Sequence, residues 1–396
     1  MIANLYFYVM IRREAETRLR YLLKLFPVIT LNGPRQSGKT TLVKSVLKKM
    51  PYVSLENPDD LEHSLLDPRG FLARFPKGGI IDETQRSPKL FSYIQGIVDD
   101  NPSRKFVLTG SQNFLLMQSI TQSLAGRVAI LKLLPFSVSE LDRADQLPET
   151  ATEAAWKGFY PPLYDRKIPP GEFYSNYLNT YVERDLREIL KVANLQLFIR
   201  FLKMCAGRVG QLLNLSDIAA ATGVSVNTAK GWISILETSF IVFLLPPYHR
   251  NFTRRLTKMP KLYFHDTGFL CHLLGISDPS QASQHFAGSG IFENLVIADV
   301  MKRICHAGQI PDLYFWRDHK GKEIDLVIES GGKAIPVEIK SALTRNMSFF
   351  DGLDYWRKLS GDTAEESYVV YGGTGKIKTT RGNFIGWQEF FKRKWV

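Results

Sequence analysis

At 396 residues the chain is longer than one ordinary core fills, so two or three domains are expected. An apolar content of 44% with 12% aromatics excludes global disorder, and 51 Lys+Arg against 39 Asp+Glu, a net charge of +12, favours a polyanionic partner such as nucleic acid. Three scattered cysteines, Cys205, Cys271 and Cys305, exclude a disulfide framework and fit a reducing cytoplasm. Neither Cys271-His272 nor Cys305-His306 has the ligand spacing of a structural zinc site.

The first 145 or so residues alternate strand-like and helix-like runs. FPVITLN (26–32) reads as a buried strand, TTLVKSVLKKM (40–50) as a helix and YVSLE (52–56) as a second strand. GGIIDE (78–83), KFVLTGS (105–111) and RVAILKLLPFS (127–137) continue the series. Short β-rich apolar runs separated by helix-length segments predict an α/β fold with a parallel sheet covered on both faces. The polar stretch DRADQLPETATEAAW marks a boundary near residue 145. Helical periodicity resumes over 173–192 and again near 195–206, and a helix, turn and helix occupy 215–237. From about 290 to 390 the pattern returns to a helix and strands. The expected division is 1–145, 146–206, 207–265 and 266–396. The start MIANLYFYVMIRREAE lacks the features of a removable leader, and SFIVFLLPPY is too short to span a bilayer, so a cytoplasmic location without a membrane partner is expected.

The segment Gly33-Pro34-Arg35-Gln36-Ser37-Gly38-Lys39-Thr40-Thr41 carries the phosphate-loop pattern G-x-x-x-x-G-K-[ST]. Backbone N–H groups of such a turn and of the following helix end point at phosphate oxygens. Lys39 reaches the β/γ-phosphates of ATP, and the Thr40 hydroxyl ligates Mg²⁺. Asp82-Glu83 closes the third strand, which suits one carboxylate near the magnesium and a second polarising the attacking water. Thr109-Gly110-Ser111 at the end of the fourth strand brings hydroxyls to the same crevice. Arg127 is a candidate for stabilising γ-phosphate charge, in cis or from a neighbouring subunit, with a surface ion pair as the alternative.

Residues 215–251 have the layout of a winged helix, with Ser225 capping the second helix. Ile218, Ala219, Val224, Ala229, Ile233 and Leu236 are the packing positions, and Asn227, Thr228, Lys230 and Ser234 face outward toward a DNA groove. Arg250, Arg254, Arg255, Lys258 and Lys261 follow as phosphate contacts. A protein-contact role for this element stands beside the DNA-binding one.

EIDLVIESGGKAIPVEIK (323–340) predicts a hairpin turning at Gly331-Gly332, with Asp325 opposite Glu338 and Glu323 opposite Lys340. Alternation puts Ile324, Leu326, Ile328, Ile335, Val337 and Ile339 on one buried face and the charged residues on the other. Opposed carboxylates suit a divalent cation between them, Mg²⁺ or Mn²⁺, with Lys340 positioning a water and Glu293 supplying a third carboxylate. The alternative is a solvated polar face on which Lys340 bridges Glu323.

With these residues in view, the chain resembles a bacterial and archaeal family of uncharacterised AAA-type P-loop ATPases with a C-terminal domain of unknown function. The stretches FPVITLNGPRQSGKTTLVK, IIDETQRSPKLFSYIQGIVD, FVLTGSQNFLL, SLAGRVAILKLLPFSVSEL, YVERDL, PKLYFHDTGFL, FENLV, YFWRDHKGKEIDLVI and VEIKS carry the resemblance. It implies a winged helix and a restriction-endonuclease-like domain of the PD-(D/E)xK type. In that reading Asp325, Glu338 and Lys340 form the nuclease core with Glu293 as the helical acid, Ile324 standing where the pattern has proline. It also implies nucleotide binding by Gly33, Gly38, Lys39 and Thr40, with Asp82 and Glu83 as the magnesium and water carboxylates. AAA-type relatives often form rings, which makes a homo-oligomer an expectation.

Overall fold

The structure, a computed structural model, describes residues 10–110, 124–180, 195–248, 258–361 and 366–393. Five strands, β1 (Val28–Asn32), β2 (Tyr52–Ser54), β3 (Gly78–Asp82), β4 (Lys105–Gly110) and β5 (Val128–Lys132), pair in parallel in the order β2-β3-β4-β1-β5. All five residues of β1 and of β3 are buried, because helices cover both faces. On one face Val28, Ile81, Phe106 and Leu108 pack with Phe71, Leu90, Phe91 and Ile94. On the other, Ile29, Leu31, Ile80 and Leu131 pack with Leu42, Val43, Ala15 and Leu19. The last pair belong to the helix Ala15–Leu25, which the arginine-rich sequence around it conceals. Because the strands are parallel and adjacent, the ends of β1, β3 and β4 open on one edge.

β5 is shorter than its apolar run predicts. At Leu133 the chain turns, its N–H still bonding the Asn32 carbonyl at 2.7 Å, and Ser137 then begins the helix Val138–Arg143 with a capping box completed by Glu140.

A helical region follows: Ala151–Lys157, Pro162–Asp165, Pro170–Thr180 and Leu195–Ala206. The helix expected over 173–192 is described as far as Thr180, and its remainder, including YVERDL, lies outside the described residues. Helices Leu215–Thr222 and Val226–Thr238 are joined through Gly223, whose φ of 83° ends the first, and Ser225, whose hydroxyl accepts from Thr228 N–H at 3.0 Å to start the second. Ile218, Ala219, Ala229, Ile233 and Leu236 are buried as the spacing predicts, together with Trp232, which wedges between Phe198 and Phe201. An antiparallel pair, β6 (Val242–Leu245) and β7 (Lys261–Phe264), completes this unit. Arg250, Arg254 and Arg255, like Ser111, lie outside the described residues.

The C-terminal sheet contains β8 (Leu313–Arg317), β9 (Glu323–Ser330), β10 (Lys333–Lys340), β11 (Tyr368–Tyr371), β12 (Lys376–Thr379) and β13 (Gly382–Gly386), in the order β12-β13-β11-β10-β9-β8. Gly331 and Gly332, with φ of 58° and 78°, form the two-residue turn between β9 and β10, and the register follows the expected sum from Lys333 opposite Ser330 to Val337 opposite Leu326. The face assignment needs correction. Leu326, Ile328, Val337 and Ile339 share a core with the helix Gly288–His306, whereas Val327 and Ala334 on the opposite face pack with Trp356 of the helix Asp351–Ser360. Ile324 joins that second cluster, because a bulge where β8 meets β9 breaks the alternation. The hairpin is a central element buried on both sides, and its carboxylates sit inside the protein.

Candidate functional site

The nucleotide cleft is built where β1, β3 and β4 end. Gly33 lies so close to the end of β5 that a Cβ there would stand 2.0 Å from the Leu133 carbonyl oxygen, and Gly38 has a φ of 91° immediately before the helix Lys39–Val46. The Lys39 ammonium donates to the carbonyls of Gly33 at 2.9 Å and Pro34 at 2.8 Å, which holds it inside the loop. Asp82 is the organising group. Its Oδ2 accepts from Thr40 Oγ1 at 2.7 Å and from the Tyr52 hydroxyl at 2.7 Å, and its Oδ1 accepts from Thr109 Oγ1. A hydroxyl and a carboxylate in contact at a phosphate loop are the donor pair that a phosphate-bound Mg²⁺ requires. Glu83, in the left-handed region at φ 56°, accepts from Gln85 Nε2. A cavity of about 830 Å³ is lined by Arg35, Gln36, Gly38, Lys39, Thr40, Thr41, Asp82 and Glu83, with Pro161, Pro162, Asp165 and Arg166 closing it from the helical region. Pro34 and Ser37 contribute through the loop itself, Pro34 by its bond to Lys39 and Ser37 by accepting at its carbonyl from Arg13 Nη1 at 2.6 Å.

Arg127 is corrected as a partner of a nucleotide on its own chain. It precedes β5, at the edge of the sheet opposite the cleft, and its guanidinium is taken by Asp99 and the Ala125 carbonyl. Tyr52, Arg166 and Arg13 are contributors that the sequence reading missed. Tyr52 sits in a strand with no pattern around it, and burial beside Asp82 raises its phenol well above the ordinary range. Arg13 is buried, and it also donates to Glu140 Oε1 at 3.0 Å and to the Leu134 carbonyl at 2.6 Å.

In the second cluster Asp325, Glu338 and Lys340 lie together, while Glu293 bonds Lys261 and Tyr263 beside them. The Lys340 ammonium donates to Glu338 Oε2 at 2.7 Å and lies 3.4 Å from Asp325 Oδ2, which also accepts from Ile339 N–H at 2.7 Å. Burial and the neighbouring Asp325 push the Glu338 carboxyl far above its usual range, while Asp325 stays low beside Lys340 and Lys261. Glu293 points in from the helix Gly288–His306 and is pushed up to about 7, chiefly by burial. Glu323 pairs with Arg317 at 3.2 Å and with Lys261, rather than with Lys340. Lys261 is the largest departure from expectation. Read as a phosphate contact, it is 3% exposed and held between Glu293, at 3.0 Å, and Glu323. A basic residue in a basic stretch carries no local sign that its partners lie in another element.

Topology, phosphate loop and carboxylate-bearing strand end define a P-loop ATPase of the AAA type. Residues 25–142 match a family described as an AAA domain, residues 148–280 a domain of unknown function (DUF8612) and residues 289–390 a second (DUF4143). An uncharacterized protein of Mycobacterium tuberculosis is 32% identical over 345 residues, covering 85% of this chain and 75% of that protein, and one from Mycobacterium bovis gives the same figures. The chain belongs to the family of these proteins. An uncharacterized Haemophilus influenzae protein is 22% identical over 260 residues, 62% of each chain. Among solved structures, the Walker-type ATPase of Pyrococcus abyssi is similar at 15% identity and a TM-score of 0.46, covering 67% of this chain and 96% of that one. Among the described residues no helix is long and apolar enough to cross a membrane.

Proposed function

We propose that this protein is a cytoplasmic Mg²⁺-dependent ATP hydrolase that uses nucleotide turnover to change how its C-terminal half engages DNA. The observation that carries the reading is the Asp82 carboxylate, which contacts Thr40 and Thr109 from two other elements while Glu83 borders the same cavity. In this arrangement Lys39 and the loop amides hold the phosphates. Thr40 and Asp82 would hold a magnesium ion, which would supply charge neutralisation at the phosphates, and Glu83 would orient the attacking water. Arg166, reaching the cavity from outside the sheet, supplies a cation near the terminal phosphate.

The DNA part of the reading is supported by the net charge of +12 and by the two capped helices and hairpin, the arrangement of a winged helix. Asn227, Lys230 and Ser234 are exposed on the second helix, as a groove-facing surface needs. ATP hydrolysis measured with Mg²⁺, with and without duplex DNA, is the test. Lys39→Ala removes nucleotide binding, and Glu83→Gln keeps binding but lowers turnover by roughly 10²–10⁴. Unchanged nucleotide affinity in Lys39→Ala refutes the site.

A second reading, a metal-dependent DNA nuclease, is favoured by the convergence of Asp325, Glu338 and Lys340 beside Glu293 and by a sheet compatible with the restriction-endonuclease-like fold. Lys261 weighs against it. Incubation with plasmid DNA and Mn²⁺ or Mg²⁺, with and without ATP, decides the matter. Cleavage that is lost in Asp325→Ala and Lys340→Ala establishes the nuclease.

A further inference from the structure

We propose that Lys261 is the resident cation of the C-terminal carboxylate cluster, filling with its ammonium the role a divalent metal ion would have, so that the folded protein does not bind such an ion there. Four carboxylates lie in two neighbouring ion-pair groups, Glu293 and Glu323 around Lys261, and Asp325 and Glu338 around Lys340. Three cations already pair with them. Lys261 bonds Glu293 and Glu323, Lys340 bonds Glu338 and Asp325, and Arg317 bonds Glu323. A nuclease of the kind these residues suggest needs the lysine next to the second carboxylate, which is Lys340. Lys261 is additional, and it comes from a different unit of the fold.

Its placement is rigid. Lys261 pairs with Leu245 in the hairpin and bridges to Leu212 on its other side. The flanking backbone is tied on both sides, by Leu213 N–H to the Pro260 carbonyl at 2.8 Å and by Gly210 N–H to the Leu262 carbonyl at 2.9 Å. The side chain is 3% exposed, so its charge has no route to water and depends on Glu293 and Glu323. The Tyr263 hydroxyl, from the same strand, donates to the same Glu293 oxygen. A divalent ion entering here would face a fixed ammonium in a low-dielectric interior, where like-charge repulsion is several times stronger than in water. The donor set therefore does not fit a catalytic metal, and the cluster acts as a polar staple joining the hairpin to the C-terminal sheet.

The test is Mn²⁺ binding to the nucleotide-free full-length protein, followed by the electron paramagnetic resonance of free Mn²⁺. Its outcome is independent of ATP turnover, so failure of the ATPase reading is told apart from failure here. Wild type and Asp325→Asn are expected to bind Mn²⁺ identically, because the cluster takes none. Lys261→Met, with the blocking charge removed, is expected to gain a site that disappears in Lys261→Met/Asp325→Asn. If wild type binds an ion with an affinity that Asp325→Asn weakens roughly tenfold or more, as loss of a metal-supporting group does, the proposal is overturned. It is equally overturned if Lys261→Met remains folded by circular dichroism and gains no site. Should Lys261→Met fail to fold, the comparison of wild type with Asp325→Asn decides alone.

Discussion

Arg13 and Glu140, separated by 127 positions, form a fully enclosed ion pair with Nε 3.0 Å from Oε1. The same guanidinium bonds the carbonyl of Ser37 in the phosphate loop, and its Nη2 lies 3.5 Å from His306 Nε2 at the end of the helix Gly288–His306. One side chain thus touches the nucleotide loop, the segment after β5 and the helix that carries Glu293. Removing one partner of such a pair leaves a buried charge without compensation. Arg13→Ala is expected to lower stability by about 3–5 kcal/mol, read by urea denaturation, and to weaken ATP binding through the loop. Arg13→Lys, which lacks the fork needed for three acceptors, is expected to recover only part of the loss.

Tyr52 steadies Asp82 from β2, a different element from the phosphate loop. Tyr52→Phe removes one donor to a carboxylate that keeps Thr40 and Thr109. A single hydrogen bond to a charged group is worth about 1.5–3 kcal/mol, which bounds the effect. The expected result is nucleotide affinity close to wild type with turnover reduced by roughly one to two orders of magnitude, measured by steady-state ATP hydrolysis.

His306 and Asp299 are two of the buried groups that shape the acid side of the stability profile. Burial holds the His306 imidazole at about 4 against an ordinary 6.5, and the neighbouring Arg13 and Lys302 charges act in the same direction. Above 6.5 both the folded and the unfolded chain are neutral at this ring. As pH falls from 6.5 toward 4 the unfolded chain takes the proton first, so stability is lost across that window. Asp299 works the other way: burial raises it to about 6 from 3.8, the folded state protonates first, and stability rises as pH falls between those values. Denaturation of wild type and His306→Asn from pH 7 to 4.5 is expected to show a steeper acid loss in wild type. Parallel profiles would contradict the assignment.

The proposed DNA binding through the second helix of the 215–238 pair has a specific signature. Lys230 is the exposed cation on that helix. Lys230→Ala is expected to weaken binding to all duplex sequences alike and to reduce the slope of log affinity against log salt by about 1, as loss of one phosphate contact does. Fluorescence anisotropy across a salt series reads it. A changed sequence preference with an unchanged slope would instead make Lys230 a base contact.

What the sequence determined by itself was local. The phosphate loop lies within nine consecutive residues whose glycines and lysine act through their own backbone, and the Gly331-Gly332 turn sets the register of the hairpin it joins. The turn at Gly223 and the cap at Ser225 are likewise readable within a few positions. Tertiary structure decided the rest, because its partners are far apart in the chain and leave no period or spacing. Lys261 reaches Glu293 across 32 positions and Arg13 reaches His306 across 293. Strand alternation predicted one buried and one wet face for β9 and β10, a sound inference for an edge hairpin. The helices Gly288–His306 and Asp351–Ser360 bury both faces, and this burial draws Asp325 and Glu338 inside, where Lys340 pairs with them.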